Sequence, residues 1–168
     1  LRRGNADHYA CVPLYFVTAS PPQIRGVLKR KMLMDGVEYD GMINKDWWKT
    51  IRRFRPYRLK EQVGFKLCAL LAGRKPRPLS LEYLFGDDTE SDAEAFWLYA
   101  RILSGELSAG DAEKAMEQAG VRKVDRNAVR LLLDRLGPEL GQVGRIYIRL
   151  EMKTPPASFQ RYAPLVVP

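Results

Sequence analysis

Apolar residues recur along this chain at two different spacings, and the change of spacing marks the elements. Leu14-Tyr15-Phe16-Val17 is a short β-rich run closed by Thr18-Ala19-Ser20-Pro21-Pro22, the pattern of a buried strand in a parallel sheet. A helix is predicted to start at Ser20, with Pro21 in its first turn, Gln23 in capping-box position, Ile24, Val27 and Leu28 as its stripe and Gly36 beyond its end. Residues 38–43 read as a second strand. A helix follows over 59–72, with Val63, Leu67, Leu70 and Leu71 at helical spacing. Residues 79–85 read as a strand running into Gly86-Asp87-Asp88. Ser91 and Glu94 are spaced as a capping box for a helix through Phe96, Tyr99 and Leu103. Two further helices are predicted over 108–119 and 125–136, and a last strand over 145–150. The Pro-rich stretch from Thr154 reads as an extended tail.

Strands alternating with helices predict a parallel sheet covered on both faces, a three-layer, Rossmann-like α/β sandwich. The expected organisation is an N-terminal segment 1–10, a core 11–150 and a tail 151–168. In such sheets ligands bind beyond the carboxyl ends of the strands. Two loops therefore stand out, Thr18-Ala19-Ser20 and the stretch from Gly86 to Asp92.

Composition changes this picture only at its margins. With 46% hydrophobic and 29% charged residues in 168, the chain is an ordinary globule, not a disordered or fibrous one. The longest apolar run, Cys11 to Val17, is far short of the roughly 20 residues of a spanning helix. Two cysteines, Cys11 and Cys68, make no disulfide framework, and reduced thiols in a cytoplasmic protein are the expectation.

Charge is more informative. The net charge is +8, and it is uneven: from Arg25 to Arg77 there are 15 Lys/Arg against 5 Asp/Glu, whereas from Glu82 to Glu94 there are six acids and no base. Asp87, Asp88, Glu90 and Asp92 crowd one strand-end loop, where like charges raise one another's pKa unless a cation or basic side chains neutralise them. Hard oxygen ligands on a short loop suit Mg²⁺, although Glu90 and Asp92 also suit the N-terminus of the following helix. Thr18 and Ser20, at a strand end that opens a helix, suit a phosphate; an N-cap is the plainer role for Ser20. Lys66 lies beside an apolar helical stripe, so its ammonium either snorkels to solvent or reaches a partner at the helix end. Trp47, Trp48, Arg52, Arg53 and Arg55 interleave aromatics with bases, as surfaces that contact anionic membranes do, and as packed helices with a solvated face also do. No recognised RNA or DNA motif is present, which argues against a nucleic-acid partner.

These pieces, in this order, resemble a known family. Strand–Thr18, Lys66 on a later helix, then strand–Gly86-Asp87-Asp88-Thr89-Glu90-Ser91-Asp92 resembles the second, third and fourth motifs of the haloacid dehalogenase superfamily. Tyr15-Phe16-Val17-Thr18-Ala19-Ser20-Pro21 and the acidic loop are most similar to the catalytic domain of the actin-patch phosphatidate phosphatase family, over about 12–150. The resemblance implies a Mg²⁺-dependent phosphatase acting on a phosphorylated small molecule or lipid phosphate. Thr18 and Lys66 would be catalytic, Ser20 would help them hold phosphate, and Asp87, Asp88 and Asp92 would hold the metal. The superfamily's nucleophile comes from an Asp-x-Asp motif, and no Asp-x-Asp occurs here. With Leu1 as the first residue, the expectation is a fragment whose nucleophile lies upstream. The alternative is a non-catalytic module binding anionic lipid or another acidic partner through Trp47, Trp48, Arg52, Arg53 and Arg55.

Overall fold

A computed structural model describes residues 12–18, 22–44, 60–137 and 140–168. The chain divides into two compact units, 1–55 and 56–168, where the sequence predicts one core over 11–150.

The first unit is a parallel strand pair. Strand β1 (Tyr15–Thr18) lies beside β2 (Gly41–Asn44), with Tyr15 opposite Gly41 and Thr18 opposite Asn44. A Cβ at residue 41 would lie 2.8 Å from the Tyr15 ring, so glycine is what lets that aromatic sit across the pair. Asp40 fixes the entry to the ladder: its carboxylate accepts from the Leu14 N–H at 2.7 Å, and its own N–H donates to the Leu14 carbonyl at 2.8 Å. The connection is a short 3₁₀ turn (Pro22–Ile24) and helix α1 (Arg25–Met34). The predicted start at Ser20 falls outside the described residues. No residue of α1 is buried, so its apolar stripe is not core, and Val27 is exposed.

The second unit contains α2 (Lys60–Arg74), β3 (Glu82–Asp87), α3 (Asp92–Leu103), α4 (Ala109–Gln118), α5 (Lys123–Leu136), β4 (Val143–Arg149) and β5 (Val166–Val167). Its three strands are parallel, in the order β3-β4-β5. Helix α2 packs against α3 and α5, and α3 covers β3 and β4. The core is built from Val63, Leu67 and Leu71 of α2, Phe96, Leu98 and Tyr99 of α3, Val129 of α5, and Leu84, Ile146 and Ile148 of the strands. Gly64 permits close approach of α2 to α5, since a Cβ there would lie 2.9 Å from Asp125 Cβ and 3.0 Å from Val121 Cγ1. Helix α4 starts as the sequence predicts, its Ser108 hydroxyl accepting from the Asp111 N–H.

The α/β class and the parallel pairing therefore agree with the sequence, but the strands fall into sheets of two and three. In the larger sheet, alternation along β3 and β4 buries Leu84, Ile146 and Ile148 and leaves Tyr83, Phe85 and Tyr147 on the other face. Phe85 is 71% exposed and stacks on Tyr147 with centroids 5.1 Å apart, so this face carries no helical layer among the described residues.

Two expectations are corrected. The strand over 79–85 sits at 82–87, because Pro78 and Ser80 give their carbonyls to Arg74 and ladder pairing begins at Glu82 opposite Val143. The stretch read as an extended tail is folded: Pro156–Tyr162 is a 3₁₀ helix that buries Phe159 and Tyr162, and β5 joins the sheet beside β4, with Val166 buried. Its prolines hid apolar residues spaced to face inward. Among the described residues, no helix is long and apolar enough to cross a membrane.

Candidate functional site: a lysine–carboxylate cluster beyond strand β3

Helix α2 runs antiparallel to β3, and charged contacts from its C-terminus and its middle show this. Near its C-terminus Arg74, fully buried, meets Glu82 at the start of β3 (2.7 Å), the carbonyls of Pro78 (3.0 Å) and Ser80 (2.7 Å), and the Tyr99 hydroxyl (3.1 Å). Tyr99 in turn donates to Glu82 at 2.7 Å, and burial together with that carboxylate raises its pKa. Two turns nearer the N-terminus, Lys66 reaches the loop that follows β3. The ammonium bonds Asp92 Oδ1, and Glu90 Oε2 at 2.5 Å. Lys66 is 3% exposed, so it does not snorkel to solvent. Its third N–H has no partner among the described residues.

Asp92 is the hinge of this cluster. Its Oδ1 takes Lys66, and its Oδ2 accepts the backbone N–H of Asp87 at 3.2 Å. Burial raises its pKa, and Lys66 acts against that rise. Gly86 is required by this arrangement, since a Cβ there would lie 2.5 Å from Asp92 Oδ2. Ser91 precedes α3 without the side-chain cap that its spacing from Glu94 predicts.

The other two aspartates face elsewhere. Asp87 accepts from the Thr89 hydroxyl and from the Thr89 N–H at 2.9 Å, both on Oδ1, closing the turn at the strand end. Asp88 accepts the N–H groups of Met152 at 2.8 Å and Thr154 at 3.0 Å. Desolvation pulls the Asp88 pKa upward, but hydrogen bonds from Met152 and Thr154 outweigh it and the pKa is lowered.

Of the residues singled out from the sequence, Lys66, Asp87 and Asp92 come together. Asp88 has its carboxylate committed to the 152–154 loop. Thr18 lies at the carboxyl end of β1, in the other unit. Ser20, Trp47, Trp48, Arg52, Arg53 and Arg55 lie outside the described residues. Cys68 is buried and directs its thiol at the Asp125 carbonyl, 3.8 Å away, as a core residue. Two participants were not found from the sequence, Glu90 as a partner of Lys66 and Gln62, which is buried one turn before Lys66. The i,i+4 spacing of Gln62 and Lys66 was the available signal.

The donor set sets limits on a metal. Among the described residues no group of three or more His, Cys, Asp or Glu is arranged to hold one. Both oxygens of Asp92 and of Asp88 are taken, whereas Asp87 has one carboxylate oxygen without a partner among the described residues. This fits a Mg²⁺ bound through Asp87 and otherwise by water and phosphate oxygens. No known family, curated protein or solved structure matches the chain.

Proposed function

We propose that this chain is the part of a Mg²⁺-dependent phosphomonoesterase that neutralises charge and holds phosphate, of haloacid-dehalogenase type, with its attacking carboxylate supplied from outside residues 1–168. The observation that carries the reading is the buried Lys66 ammonium drawn to Asp92 and Glu90 beyond the carboxyl end of a parallel strand. Phosphoryl transfer needs positioning and electrostatic neutralisation more than elaborate covalent chemistry, and that is what a fixed, desolvated ammonium provides. Lys66 spends two N–H groups on carboxylates that orient it and keeps the third for a phosphate oxygen. Asp92, braced by the Asp87 N–H, fixes the ammonium at the strand end. Thr18 and Ser20 belong to the reading as phosphate contacts by resemblance. Mg²⁺, held through Asp87, would supply Lewis-acid neutralisation of the transferred group. Strand β3 is paired with β4 alone among the described residues, and its second edge is where a strand bearing Asp-x-Asp would add in a three-layer sandwich. The substrate class is a phosphorylated small molecule or a lipid phosphate, and a lipid substrate would bring peripheral membrane contact.

The test is phosphate release, with and without Mg²⁺, from the 168-residue chain and from a chain extended upstream to include an Asp-x-Asp motif. The expected result is turnover only by the longer chain, abolished by Asp87→Asn. Mg²⁺-dependent turnover by the 168-residue chain would overturn the assignment of the nucleophile. An inactive extended chain, tried on soluble and lipid phosphates, would favour a module that binds anionic lipid through the segment around Trp47 and Trp48.

A further inference from the structure

Met34 and Leu33 are the most exposed large apolar side chains among the described residues, at 81% and 80%, and Val27 is 67% exposed. All three belong to α1. A single exposed apolar residue needs no explanation, but these share ten residues with four bases, Arg25, Lys29, Arg30 and Lys31, and with no acid. Helical geometry decides how they stand. At about 100° per residue, Val27, Leu33 and Met34 fall on an arc of about 120° centred on Arg30. Leu28 and Met32, both half-buried, lie on the opposite side of the helix, so the arc faces away from the side on which α1 packs. Lys29 and Lys31 stand about 100° to either side of Arg30, one beyond each border of the arc. Among the described residues, Lys31 alone of the four bases has a carboxylate partner, the exposed Asp35 at 2.8 Å.

We infer that this arc of α1 is a membrane-docking surface, which lies in the headgroup region of an anionic bilayer with Val27, Leu33 and Met34 entering the apolar layer. The inference goes beyond the phosphomonoesterase reading and does not depend on it, since docking cleaves no ester. The combination of charge and exposed apolar surface selects the occupant. A nucleic acid would pair with the bases but leave Leu33 and Met34 in water. A bilayer surface takes both. The apolar tips sink below the headgroups, while Lys29 and Lys31, at the borders, extend their ammonium groups to lipid phosphates and carboxylates. Arg30, between the apolar residues, has a stem long enough to bring its guanidinium back to headgroup level. Each base held near such a surface strengthens binding about fivefold. Arg25, Lys29 and Arg30 give up no ion pair among the described residues to do so.

The test is flotation of the 168-residue chain with phosphatidylcholine vesicles, with and without phosphatidylserine. Wild type should float only with the phosphatidylserine vesicles, and less as salt rises from about 0.15 M to about 0.5 M. Leu33→Ser/Met34→Ser should weaken binding about tenfold, through the apolar area removed. Lys29→Gln/Arg30→Gln should weaken it about twentyfold. Because all four side chains are exposed, both variants should keep the wild-type melting temperature. Leu131→Ser, at a 54% exposed position of α5, should bind as wild type does. Binding that survives both α1 variants and fails in Trp47→Ala/Trp48→Ala assigns the membrane to that other segment and overturns the inference. Full binding by Leu33→Ser/Met34→Ser with loss in Lys29→Gln/Arg30→Gln marks a purely electrostatic contact, and it too overturns the inference, as does binding to neither vesicle. None of these outcomes bears on phosphate release, so the phosphomonoesterase reading stands or falls separately.

Discussion

Replacing Lys66 by methionine keeps most of the side-chain volume and deletes the charge, so the stability change reports on electrostatics alone. Removing one partner of a buried ion pair costs about 3–5 kcal/mol, because the remaining charge is left desolvated. Here the survivor that matters is Asp92, whose side chain is 11% exposed; the Glu90 side chain, at 35%, is screened by solvent and adds little. A stranded carboxylate can escape by taking up a proton, and this caps the penalty. Relative to an unfolded pKa near 3.8, protonation costs about 1.4 kcal/mol for each pH unit above it, hence about 4.4 kcal/mol at about pH 7 and about 1.6 kcal/mol at about pH 5. The sign follows from linkage. Burial holds the folded pKa of Asp92 above its unfolded value, and loss of Lys66 raises it further, so the folded variant binds the extra proton. The variant's stability is retained in acid, below the unfolded pKa, and declines as pH rises toward the raised folded one. Urea denaturation followed by far-UV circular dichroism should therefore show Lys66→Met less stable than wild type by about 3 kcal/mol at about pH 7 and by less than about 1.6 at about pH 5. The pair Lys66→Met/Asp92→Asn should recover most of the loss at neutral pH. A penalty that does not change between the two pH values, or no penalty at all, would refute the buried pairing.

Gly86→Ala should lower stability by about 1–3 kcal/mol in the same assay, since the added Cβ would fall 2.5–2.7 Å from three atoms of Asp92. Asp88→Ala should speed amide hydrogen exchange at Met152 and Thr154 and leave the Lys66 cluster unaltered, because the Asp88 carboxylate serves only that loop. In the wild-type chain the Asp88 contribution runs opposite to that of Asp92: with the folded pKa lowered, its protection is complete above about 3.8 and is lost as pH falls through the folded value, which the same exchange measurement would follow.

Much of this architecture was legible in the sequence because it depends on local periodicity. The stripe Val63, Leu67, Leu70 and Leu71 located α2 to within about two residues, and the helix predicted over 125–136 is α5 at Lys123–Leu136. What escaped depends on contacts between residues far apart. Nothing in the pattern at Leu79 and Leu81 reveals that Arg74 draws off the neighbouring carbonyls and delays the strand to Glu82. The burial of Phe159, Tyr162 and Val166 depends on β5 finding β4, which a proline-rich composition conceals. At the site, the acidic loop was plain, but the division of labour within it was not. Asp88 and Asp92 look equivalent in sequence, and only the fold brings Met152 and Thr154 to the first and Lys66 to the second.

Helix α2 is fastened at two points eight residues apart, Lys66 to the loop after β3 and Arg74 to the turn before it. A helix turns about 100° per residue, so the two fastenings point correctly only while their spacing holds. Inserting or deleting a single residue between them would swing one out of phase, leaving either Glu82 or Asp92 buried against the wrong face. The length of α2 between these two positions therefore cannot change without breaking one of the fastenings. The loop at Ser104–Ser108, with exposed residues on either side of Gly105, has no such clamp and can lengthen without disturbing the cluster.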